Sequence, residues 1–242
     1  MAEPSAPHAG HGLGGDDAGA DDVMAGVYAQ LARPPAAPAP ADLGGLVDAA
    51  TLDDIAAELT EVNEITRELR DVTSAGRRLA HVFIARLHRS DGAGAAKALE
   101  ELRALKPPAD VLGPRLWSDH ERRTRLCEAG GVGHFVETYL AGLGLQAFLQ
   151  TGELAPQLPE SWLLGIPDQD DERYLLGLID GCRELERYAV NRGQVLDLQS
   201  VRLCLGAAQS LEQAMMQFDL RGGDVRHRFD GVKYCVKKLE NL

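Results

Sequence analysis

From Thr51 onward the apolar positions recur at threes and fours. Leu52, Ile55, Leu59, Val62, Ile65, Leu69 and Val72 make one stripe, and Leu79, Val82, Phe83 and Leu87 continue it. That spacing is the period of a single helix face, so it predicts one long helix, or two with a break near Gly76. Thr51 with Asp54 resembles a capping box at its start. A shorter helix is predicted from about Ala95 to Leu105, stopped by Pro107 and Pro108. A charged helical piece over 116–128 ends at the Gly130-Gly131 pair. Residues 132–150 read as a mostly apolar helix, which implies burial on more than one side. Leu154 to Ile166 reads as a Pro-rich short helix or turn. Further helices follow over about Asp171–Asn191, Leu198–Phe218 and from Val225 onward. No window alternates with period two, so strands are not expected. The fold class is all-α, a bundle.

The first 44 residues change the picture. They are Ala, Gly, Pro and Asp with almost no large apolar side chains, too little to offset chain entropy by burial. Residues 1–44 are therefore expected to be a disordered acidic tail, and 45–242 one helical domain. The first 50 residues hold seven acids against a single base, Arg33, and so carry half of the chain's net charge of −12. Such a tail is too acidic for a mitochondrial presequence and lacks a signal-peptide pattern. The most continuous apolar run, Leu140 to Leu149, is far short of a membrane span. Cys127, Cys182, Cys204 and Cys235 show no CxxC spacing, which reads as reduced thiols in a cytoplasmic or nuclear protein.

A globally acidic chain does not coat nucleic acid nonspecifically, so any phosphate contact must come from local patches. Two sets qualify: His120, Arg122, Arg123 and Arg125, and then Arg226, Arg228, Lys233, Lys237 and Lys238 around an apolar ladder of Phe229, Val232, Val236 and Leu239. These cations could instead complement an acidic surface or a neighbouring subunit. In the 171–191 helix, Leu175, Leu178, Cys182, Leu185 and Ala189 form one stripe, and Asp180, Glu184, Arg187, Arg173 and Asn191 lie opposite. Two carboxylates four residues apart can hold a hard cation such as Mg²⁺, which could activate water for phosphodiester cleavage. Equally, they form a solvated face in which Glu184 pairs with Arg187 or Arg183. His134 and Glu137, on the 132–150 helix, are candidates to complete a metal set with Asp180 and Glu184. Asp180, Glu184 and Glu137 are then the candidate catalytic residues.

The run DLRGGDVRHRFDGVKYCVKKLE near the C-terminus is similar to a pattern of the translin and translin-associated factor X family, closer to the translin branch. YLLGLIDGCRELERYAVN (Tyr174–Asn191), LQTGELAPQLPESWLLGI (Leu149–Ile166) and RELRDVTSAGRRLAHVFIARLHR (Arg67–Arg89) resemble further family segments in the right order. The resemblance covers about residues 50–242. It implies an all-helical subunit of about seven helices in a hollow homo- or hetero-oligomer. It also implies binding of single-stranded RNA and DNA, and partnership with a translin-associated factor X-like paralogue in small-RNA processing. In the catalytic branch a Glu-x-x-Glu helix and an Asp-x-x-x-Glu helix hold the metal. The second is present as Asp180 and Glu184. For the first, an ungapped match places Thr138 and Ala141 at the glutamate positions, whereas a shift of one helical turn places His134 and Glu137 there.

Three functions follow as alternatives. The first is a single-strand-binding subunit. The second is a Mg²⁺-dependent endoribonuclease with its own acidic site. The third is an assembly subunit that touches no nucleic acid itself.

Overall fold

The computed structural model describes residues 48–113, 119–154 and 170–242. The expected tail, the start of the 116–128 piece and most of the Leu154–Ile166 segment lie outside these. The described helices are α1 Ala49–His88, α2 Gly92–Arg103, α3 Pro108–Leu112, α4 His120–Gly130, α5 Val132–Thr151, α6 Asp170–Gln194, α7 Leu198–Met215 and α8 Gly223–Leu239. Seven of them span more than ten residues, α3 is a single turn, and there is no strand among the described residues. The all-α expectation holds.

The described residues 48–57 belong to one unit and Glu58–Leu242 to a second, compact one. In the first unit α1 is capped by Asp48, not by Thr51. The Asp48 carboxylate accepts from the backbone N–H groups of Ala50 and Thr51 and from the Thr51 hydroxyl at 2.6 Å. The hydroxyl expected to cap is thus occupied as a donor. These bonds, the Thr51 hydroxyl first, hold the Asp48 carboxyl below its ordinary range.

Within the body α1 shows no break at Gly76. That glycine is buried because α5 passes close by: an added side chain there would run into the Phe135 ring. Leu69, Ala80, Phe83, Ile84 and Leu87 face the core, whereas Val82, expected on the stripe, is exposed and Ile84 takes its place. Pro107 and Pro108 do stop α2, but Pro108 also begins α3, where its missing N–H costs nothing.

Helix α5 is the centre of the bundle. Twelve of its twenty residues are buried, from Val132 to Phe148, as an almost uniformly apolar helix requires. It packs on α6 so closely that a Cβ at Gly177 would lie 2.5 Å from that of Leu140. Helices α6, α7 and α8 pack on one another around Ile179, Leu185, Cys204, Ala208 and Val232. All four cysteines are free and buried, and the Sγ atoms of Cys182 and Cys235 lie 3.2 Å apart across the α6–α8 contact.

The α4–α5 junction sets the site that follows. Gly131 has φ 71° and ψ 24°, a left-handed conformation suited to glycine, and it ends α4 while starting α5. The carbonyls left over at the end of α4 are met by α1: Thr73 donates to Gly130 O at 2.7 Å and Arg70 to Ala129 O at 2.9 Å. That satisfies backbone groups a helix end leaves orphaned.

Candidate functional site

Glu137 is the one carboxylate on α5, and it sits among apolar neighbours with its side chain only 2% exposed. A charge so buried must be paired. Arg173 of α6 donates to Oε1 at 2.6 Å, and Arg228 of α8 donates to Oε2 at 2.7 Å. Gly133 makes room for this, since a Cβ there would lie 2.8 Å from the Arg173 guanidinium carbon. Arg228 Nη1 also stands 3.6 Å from Asp180 Oδ2, while Asp180 Oδ1 accepts from Arg183 at 2.8 Å. Burial pushes the Asp180 carboxyl above its ordinary pKa, opposed by Arg183 and Arg228. Burial alone would lower the pKa of Arg228, but bonding to Glu137 and the charges of Glu137 and Asp180 outweigh it and raise the value.

One turn along α6, Glu184 belongs to a second pairing. Its Oε1 accepts from Arg187 at 2.8 Å, the pairing that α6 spacing alone allows, and its Oε2 lies 2.8 Å from Nε2 of His88 at the end of α1. The other ring nitrogen of His88, Nδ1, is buried with no partner among the described residues. His134 is largely exposed, with Nδ1 3.6 Å from Glu137.

The four expected metal ligands thus divide between two ion-pair groups. Glu137 and Asp180 share Arg228, Glu184 turns to His88 and Arg187, and His134 stays at the rim. Among the described residues no three His, Cys, Asp or Glu side chains converge as a metal site would require. Neither placement of the Glu-x-x-Glu element supplies another carboxylate: Ala141 is buried, and the Thr138 hydroxyl donates to its own helix at His134 O, 2.8 Å away. A hard divalent ion needs several uncommitted oxygens, and here both oxygens of Glu137 accept from guanidinium groups. The residues present do not fit Mg²⁺. Asp180, Glu184 and Glu137, the expected catalytic residues, are each ion-paired with an arginine in this arrangement.

The basic residues divide as well. On α4, Arg123 is buried beside His120. Arg122 bonds Glu61 of α1 at 3.2 Å with Glu58 nearby, and Arg125 pairs with Glu121 on its own helix. This set therefore joins helices more than it presents one cationic face. On α8, Arg228 points inward, but Arg226, Lys233 and Lys237 follow one another at helical steps on the outer side. Arg226 and Lys233 share Asp230, at 3.2 and 3.1 Å, and Lys237 is exposed. Lys238 pairs with Glu186. The sequence pointed to Arg187 as a partner of Glu184, and the structure forms that pair, but it gave His88 and Arg173 no role, although each closes an ion pair here. The signal for Arg173 was indirect: a lone carboxylate in an apolar helix requires a cation from elsewhere.

The chain is similar to known proteins in sequence and in fold. Translin from Homo sapiens and from Mus musculus are each 30% identical to this chain over 102 residues, which is 39% of the chain and 45% of each relative. The matched stretch thus spans less than half the length of those relatives. A crystal structure of apo-NeC3PO superposes with a TM-score of 0.62 at 19% identity, covering 81% of this chain and 96% of that one, a likeness of fold. The Translin family model matches residues 60–242, nearly the whole compact body, and the chain belongs to the Translin family.

Proposed function

We propose that this chain is a single-stranded RNA- and DNA-binding subunit of a translin-type oligomer, closer in role to translin than to the catalytic paralogue. The observation that carries the reading is the outer stripe of α8. Arg226, Lys233 and Lys237 stand there with only Asp230 between them, a local cationic line on a chain of net charge −12. Such a line follows a phosphate backbone without reading its bases. Tyr234, 73% exposed beside the stripe, adds an aromatic face of the kind that stacks on unpaired bases. The ion-paired state of Glu137, Asp180 and Glu184 favours binding over cleavage, and strand scission then belongs to a translin-associated factor X-like partner.

The test is a salt titration of binding to a short single-stranded RNA. Each phosphate neutralised on a single strand contributes a slope of about −0.7 in log affinity against log salt. A slope of roughly −2 or steeper is expected from the stripe. A flat slope, or no binding at low salt, refutes the reading.

A further inference from the structure

The turn between α7 and α8 forms a cavity of about 380 Å³, lined by Met215, Met216, Phe218, Leu220, Arg226, Phe229 and Lys233. Phe229 and Met215 are buried and form its floor, while Phe218 is 49% and Met216 59% exposed at its rim. Lys233 Nζ lies 4.8 Å from the centroid of the Phe229 ring. Both cations are held at the edge by Asp230 of the same helix, so the rim carries two positive charges against one negative. The turn holds Phe218 outward: its N–H donates to Met215 O at 3.2 Å, and its own carbonyl accepts from Leu220 N at 3.0 Å. Gly223, at φ 81°, then lets the chain enter α8.

From this geometry we infer that the Phe218–Phe229 cavity is a seat for one unpaired nucleobase, with Arg226 and Lys233 holding the adjoining phosphate. The inference rests on the single-strand-binding reading and adds to it a place where the base goes. The chemistry matches part by part. An exposed ring and a thioether offer polarizable surface to any base, the apolar floor excludes water beneath it, and the cations meet the anionic backbone. Duplex bases are stacked on each other and cannot enter, so the seat selects single strands while tolerating sequence. The net positive charge of the rim suits the phosphate that adjoins a bound base.

The test uses the full-length protein and two strands of equal length, one of oligouridylate and one of abasic nucleotides, with binding followed by fluorescence anisotropy. Wild type is expected to prefer the strand that carries bases. Phe218→Ala is expected to weaken that strand by about 5- to 150-fold, the range for losing one stacked base, and to leave the abasic strand unchanged. Phe218→Trp should restore the preference. Phe218 is half exposed, so an unchanged melting temperature in both variants verifies the fold. Equal loss on both strands, or no loss on either, overturns the base seat while leaving the phosphate-binding stripe in place. A shift in native mass without a change in base preference reassigns the cavity to a subunit contact and also overturns it. If wild type binds neither strand, the base seat and the binding reading fall together.

Discussion

Arg226 and Arg228 stand two residues apart on α8, and the helix turns them to opposite sides. Arg228 is drawn inward to Glu137 and Asp180, where its charge is consumed in closing the bundle. Arg226 shares a single aspartate with Lys233 on the outer face and remains half exposed. The residue type is the same, yet one is tied to the interior and the other is available to a ligand. Charge counted along a basic helix therefore overstates what a phosphate meets. The difference lies in burial: an ion inside the bundle has to find its counter-charge there, whereas one at the surface keeps its water.

Mutation should separate the two sides. The largest effect is expected from Arg228→Ala, which leaves the buried Glu137 with Arg173 and, at 3.6 Å on the rim, His134. Removing one partner of a buried pair costs about 3–5 kcal/mol, and urea unfolding should show a midpoint lowered accordingly. If stability changes by less than 1 kcal/mol, the inner network is not holding α8 to α5 and α6. The outer stripe should respond in reverse. Replacing Arg226, Lys233 and Lys237 together by Gln should leave the unfolding midpoint nearly unchanged and flatten the salt dependence of RNA binding by about two units of slope. An unaltered slope would place the phosphates elsewhere.

A smaller effect is expected from Gly133→Ala, whose Cβ would crowd the Arg173 guanidinium. The arginine tip can shift, so the cost should be near 1 kcal/mol, the lower part of the range for overpacking. Thermal melting checks this, and the loss should shrink when Arg173 is already Ala.

The smallest concerns a surface cap outside both networks. Asp197 accepts from Ser200 and pairs with Arg192 at the start of α7. These contacts, the Ser200 hydroxyl first, hold its carboxyl down at about 2, from an ordinary 3.8. Because the folded value is depressed, its contribution is complete above about pH 4 and disappears as pH falls through about 2. Asp197→Asn should therefore melt below wild type at pH 7, with the gap closing over that interval. A gap independent of pH would assign the effect to shape and not to charge.

The helices were legible because their signals are local. The apolar spacing of Leu69, Phe83 and Leu87, the Gly130-Gly131 stop and the uniform apolarity of α5 each depend on neighbours in sequence. The site was less legible because its partners are remote. Glu137 meets Arg173 and Arg228 from two other helices, 36 and 91 residues along the chain. Sequence spacing showed that Asp180 and Glu184 share a helix face, but not that a guanidinium bridges Asp180 to Glu137. The helix cap was missed at closer range. Thr51 had the right type and spacing, but Asp48 lay three residues earlier with a carboxylate able to accept more bonds.

Gly131 belongs to the end of one helix and the beginning of the next, which leaves no slack between α4 and α5. Adding or deleting one residue at that joint would swing every later position on α5 by about 100°, carrying Glu137 away from both of its arginines. Homologous chains that keep this buried glutamate should keep this spacing constant, and a change in it would mark a relative whose interior charges have been rearranged.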